Sequence, residues 1–109
     1  MTNITKSRHY DVRVASSHYQ RLLGLFAKDV LLGADALLIA SCNSIHTFGM
    51  RKHIDIAFID SEGMVIKSIR NLHPNCLVSC SGAKAVLERF SSSDQYWFEQ
   101  GDRLVLHRN

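Results

Sequence analysis

Ile54-Asp55-Ile56-Ala57-Phe58-Ile59-Asp60-Ser61-Glu62-Gly63-Met64-Val65-Ile66-Lys67-Ser68-Ile69 decides the fold, because it reads as two strands joined by a tight turn. Both arms are rich in β-branched and aromatic residues, which suit a pleated, half-buried surface. Between them Asp60 can bond the backbone ahead of it, and Gly63 can take positive φ without steric cost. The four-residue loop, 60–63, pairs Ile59 with Met64 and, counting back, places Asp55 near Ser68 with Arg70 on the diagonal. An antiparallel hairpin at the core of a sheet is expected.

Further strands are expected on either side of this hairpin. Tyr10, Val12 and Val14 alternate with Asp11 and Arg13, the pattern of a half-buried strand. Leu37, Leu38 and Ile39 form a short apolar run bounded by turn residues, which suits a strand buried on both faces. Leu104-Val105-Leu106 reads as a closing strand, while Ala85-Val86-Leu87 fits helix or strand equally. Two short helices are expected. In one, capped by Ser16 or Ser17, Tyr19, Leu22, Leu23 and Phe26 fall on a single helical face. The other runs from Gln95 to Glu99, after capping candidates among Ser91 to Asp94 and before Gly101. The expected class is α+β: mostly antiparallel β, in a small curled sheet or barrel, with two short helices. Residues 1–9 read as a flexible N-terminus and residues 10–109 as one domain, since no repeat, linker or low-complexity tract divides them.

The chain has 109 residues, 46% of them hydrophobic and 21% charged, the balance of an ordinary soluble domain with one core. The longest apolar run, Ala36 to Ala40, is far too short for a membrane span or a signal core, so a cytoplasmic location is expected. The net charge of +3 comes from scattered basic residues and does not indicate a nucleic-acid partner. Three cysteines, Cys42, Cys76 and Cys80, are an odd number and are expected to be reduced. Cys42, His46 and Met50 recur every four residues and could serve a soft copper(I) site if the segment were helical, but Asn43-Ser44 and Gly49 argue for a loop or strand. Cys76 and Cys80 are four apart, which matches no common closed zinc site. No metal and no cofactor are expected.

From Arg21 to about Leu106 the chain carries Arg21, Gly24-Leu25, His46-Thr47-Phe48-Gly49-Met50, Ile54-Asp55-Ile56, Asp60 with Gly63, Ala85-Val86-Leu87-Glu88 and Gly101-Asp102. In these motifs it resembles a widespread prokaryotic family, the domain of unknown function 192 family. The resemblance implies a mostly β fold with short helices, and a strand at Ala85 to Leu87, but no reaction. Where members often have a proline-alanine-glycine turn after the Val-Leu-Glu strand, this chain has Arg89-Phe90-Ser91-Ser92-Ser93.

The histidine motif is where chemistry is expected. An imidazole such as His46 can serve as general base, metal ligand or backbone pin. Asp55, flanked by isoleucines, would be costly to bury unless a donor from His46, Thr47, Arg70 or Arg21 met it. Arg51-Lys52-His53 can attract a carboxylate, a phosphate or an acidic protein surface, or serve solubility alone. The expected site comprises Arg21, His46, Thr47, Met50, Arg51 and Asp55, binding an unidentified small ligand or protein partner. The alternatives are an enzyme using His46 and Asp55 as an acid/base pair, and a structural accessory of a larger assembly.

Overall fold

The computed structural model describes residues 2–3, 8–9, 11–15, 35–92 and 96–105. In chain order their strands are β1 (Thr2–Asn3), β2 (Arg8–His9), β3 (Val12–Ala15), β4 (Ala36–Ala40), β5 (Ser44–His46), β6 (Ile54–Ile59), β7 (Val65–Leu72), β8 (Leu77–Ser79), β9 (Ala85–Phe90) and β10 (Leu104–Val105). A five-stranded sheet of order β3-β4-β9-β6-β7 carries the molecule, with a β10-β1-β2 sheet and a β5-β8 ribbon beside it. The β3-β4 pair is parallel and the other pairings of the large sheet are antiparallel.

Alternation divides the core between the two faces of this sheet. Leu37, Ile39, Ile54, Ile56, Phe58 and Val86 point to one face, where Ile45, Cys42 and Leu72 join them. Ala36, Leu38, Ala57, Ile59 and Leu87 point to the other, under Trp97, Phe98 and Leu104. All six residues of β6 are buried, because the strand has β9 and β7 on its two edges and both faces are covered.

The hairpin forms, with a different register. Ile59 lies opposite Val65, Ala57 opposite Ser68 and Ile54 opposite Leu72. Two register shifts each add a residue on β7, so Asp55 meets the Arg70–Asn71 bulge and not Ser68. Asn71 has φ 57°, and its N–H donates to Asp55 Oδ1 at 2.9 Å, so a side chain takes the place of a lost ladder bond. In the turn, the N–H groups of Glu62 and Met64 both donate to Asp60 Oδ1 at 2.9 Å. Gly63, at φ 84°, passes so close to Leu104 that a Cβ would lie 2.6 Å from its carbonyl oxygen.

The α+β expectation is corrected: every regular element among the described residues is a strand. The first expected helix, with Tyr19, Leu22, Leu23, Phe26 and Arg21, lies outside the described residues. Of the second, 93–95 also lie outside, and Tyr96 to Glu99 are not helical. Their polar groups are bound to the sheet. Arg89 Nη1 donates to the Tyr96 carbonyl at 3.0 Å, Ser68 Oγ to the Phe98 carbonyl at 2.7 Å, and Trp97 Nε1 to the Ile56 carbonyl at 3.0 Å. Adjacent Trp97 and Phe98 are both buried against the sheet. Nor does the sheet close into a barrel. It ends on β3 and β7, and the 101–104 segment runs beside β7 only around Gly63 to Val65.

Candidate functional site

Asp55, on β6, has no exposed surface. Arg89 Nε donates to its Oδ2 at 2.9 Å, Ser91 Oγ–H to Oδ1 at 2.8 Å, and an Arg70 nitrogen stands 3.9 Å from Oδ2. With the Asn71 N–H, these contacts compensate the buried charge. Arg89 is itself 4% exposed and lies 4.7 Å above the Trp97 ring. The expected donors included Arg70 but not Arg89, the closer partner. The hydrogen bonds of Asp55 go to Asn71, Arg89 and Ser91 and not to His46.

Thr47 is fully buried and ties the motif to the loop after β7. Its N–H donates to the Cys76 carbonyl at 2.8 Å, and its own carbonyl accepts from Asn75 at 3.0 Å and Met50 at 3.1 Å. Its hydroxyl donates to the His73 carbonyl at 2.7 Å and accepts from the Cys76 N–H at 2.8 Å. A single hydroxyl does both through one atom, which a valine of the same shape could not. Met50 packs part-buried against the core.

In front of Thr47 the motif is open to solvent. The ribbon pairs Ile45 with Val78, which face the core, and His46 with Leu77, which face outward. Leu77 is 67% exposed and Phe48 is 50% exposed, and Phe48 stacks on His46 with ring centroids 5.2 Å apart. Arg51 is exposed after this loop, as are Lys52 and His53. The expected site residues therefore separate into an exposed set, His46 and Arg51, and a buried set, Thr47 and Asp55. Sequence reasoning passed over Phe48 and Leu77 because hydrophobic residues read as core. The cross-strand neighbour of His46 was not recoverable from spacing.

Cys42, His46 and Met50 share no helical face, because β5 is extended. The Cys42 thiol is buried and donates to the Ser44 carbonyl, and all three cysteines are free. Among the described residues no three His, Cys, Asp or Glu side chains converge. Glu88, on β9 between Leu37 and Ile56, is buried, and loss of hydration pushes its carboxyl up to about 7. No helix among the described residues is long and apolar enough to cross a membrane.

Fold and surface define a small β domain with a closed polar network and an exposed aromatic and aliphatic face. The family model described as DUF192, Uncharacterized ACR, matches residues 1–106, and the chain belongs to this family. The fold is similar to a protein of unknown function from Novosphingobium aromaticivorans, at TM-score 0.67 and 19% identity over 84% of this chain and 71% of that one. It is likewise similar to a proposed transcription regulator from Sinorhizobium meliloti, at TM-score 0.68 and 20% identity over 84% of this chain and 78% of that one. At such identities the likeness is one of fold alone. A comparison with curated proteins found no match.

Proposed function

We propose that this chain is a binding module, and that its partner site is the outer face of the β5-β8 ribbon, with His46, Phe48 and Leu77 at the centre and Arg51 at the margin. One observation carries this reading: two of the three exposed large hydrophobics among the described residues, Phe48 and Leu77, stand here on either side of a histidine. Apolar side chains on a short ribbon are commonly turned inward, and grouped outward ones mark interaction surfaces. Thr47 serves the site by holding its backbone, and Met50 anchors the loop to the core, while Asp55 holds β7 at Asn71. Arg21 lies outside the described residues. A protein partner suits this open face better than an enclosed small ligand does. We place the module in the cytoplasm, in keeping with three free thiols.

The test is a titration of isotopically labelled protein with aromatic carboxylate fragments, followed by amide chemical shifts. Perturbations should gather at residues 44–51 and 76–79. They should vanish in the Phe48→Ser, Leu77→Ser double variant, whose stability should stay within about 0.5 kcal/mol of wild type because both side chains are exposed. Perturbations gathered instead along the open groove lined by Lys67, Arg70, Tyr96 and Phe98 would refute the assignment.

A further inference from the structure

The open end of the β6-β7 hairpin brings two imidazoles together. His53 precedes β6 and His73 follows β7, and the Ile54–Leu72 pairing sets them across from one another. His53 Nε2 lies 2.8 Å from His73 Nδ1, with the rings edge-on at 89°. Both side chains are exposed, yet both backbones are held. The His53 carbonyl accepts from the Ser91 N–H at 3.1 Å, and the His73 carbonyl accepts from Thr47 Oγ1 at 2.7 Å. A hydrogen bond between the rings requires a lone pair on one of them, so the pair cannot carry two imidazoliums and keep that bond.

The surroundings favour negative charge. Neither residues 36–54 nor residues 63–87 contain an Asp or Glu. The other charged or titratable groups on the elements meeting here are His46 on β5, Arg51 and Lys52 ahead of β6, Asp55 on β6 paired with Arg89 on β9, Lys67 and Arg70 on β7, Cys76 ahead of β8, and Glu88 on β9. Lys52 lies over the Phe90 ring at 5.4 Å, and Arg70 donates to the Ser92 carbonyl at 2.7 Å.

We propose that the His53–His73 pair, with Arg51 beside it, is a proton-linked anion site that receives a carboxylate from an acidic protein segment lying across the β5-β8 face. This rests on the binding reading above. When the carboxylate arrives, one proton is taken up from solvent, the ring-to-ring bond is given up, and each ring donates an N–H to a carboxylate oxygen. Thr47 joins the two halves of the surface, because it bonds the His73 carbonyl while His46 and Phe48 flank it in sequence. An acidic peptide fits better than nucleic acid: a net charge of +3 from scattered residues makes no row of phosphate contacts, and the face offers Phe48 and Leu77 instead.

The experiment is calorimetry with a blocked peptide of glutamates around one phenylalanine, in buffers of different ionisation enthalpy. Affinity should rise on the order of tenfold from about pH 8 to about pH 6, the range in which histidine changes charge, with net proton uptake on binding. His53→Gln and His73→Gln should each flatten that dependence. Phe48→Ser should weaken binding at every pH and leave the slope intact. Binding without a pH slope, or a slope that survives His53→Gln and is lost in His46→Gln, overturns the anion site while the binding reading stands. No binding of the peptide also overturns it, and the fragment titration then decides the wider reading separately. An oligonucleotide that binds more tightly than the peptide would overturn the choice of partner.

Discussion

At the scale of single residues, burial separates two side chains that look like partners on paper. Asp55 is fully buried with its oxygens engaged, whereas His46 is exposed and stacks on Phe48. Asp55→Ala would remove the carboxylate that balances the buried Arg89 guanidinium and should cost about 3–5 kcal/mol in a urea or thermal melt. His46→Ala should cost less than about 0.5 kcal/mol. Comparable losses in the two variants would contradict this division. Thr47 gives a second test, since valine keeps its shape and removes only the hydroxyl. Thr47→Val leaves the Cys76 N–H and the His73 carbonyl without that partner and should cost about 2 kcal/mol, with faster hydrogen exchange at Cys76. His46, Thr47 and Asp55 were legible as candidates because polar residues beside apolar strands stand out. Their roles were not, because exposure depends on what lies across the sheet.

At the scale of elements, the β6-β7 hairpin was legible because its signals are local. Alternation, β-branched side chains and the Asp60 to Gly63 turn all lie within one stretch of chain. Its register was not, because the extra residues on β7 are accommodated by the Asp55 carboxylate and the left-handed Asn71. The turn depends on Gly63 for two reasons, positive φ and contact with Leu104. Gly63→Ala should therefore destabilise the fold by about 1–3 kcal/mol, read as a lower urea midpoint. A neutral result would mean that the Leu104 segment moves aside. The expected helix at Gln95 to Glu99 failed at its described residues because capping residues describe only what a segment can do alone. Arg89, Ser68 and the Ile56 carbonyl offer Tyr96 to Phe98 better hydrogen bonds than a short helix would.

At the scale of the whole molecule, Glu88 ties stability to pH. It sits on the central strand β9 with its carboxyl raised by burial from 4.5 to about 7. The folded state thus holds a proton that the unfolded state releases across that interval, and stability falls as pH rises through it. The full loss is about 3 kcal/mol and is complete above about pH 7. Glu88→Gln removes the ionisation, so the difference in stability between the variant and wild type should grow from about pH 4.5 to about pH 7 and then level off. Melts at several pH values measure it, and a difference that stays constant would show that Glu88 does not titrate in this window.

By itself the sequence determined what is local: the strands β3, β4, β6, β7 and β10, where the hairpin turns, and that a polar motif abuts an apolar strand. Periodicity and turn chemistry act over a few residues and need no partner. Only the tertiary structure decided the rest. Arg89 reaches Asp55 from 34 positions away, Leu77 comes opposite His46 through the ribbon, and His53 meets His73 across the hairpin. Each of these depends on which strands lie side by side and in what register. That is settled by burying Ile56, Phe58, Val86 and their neighbours together, so the exposed face and the buried network are products of the packed core.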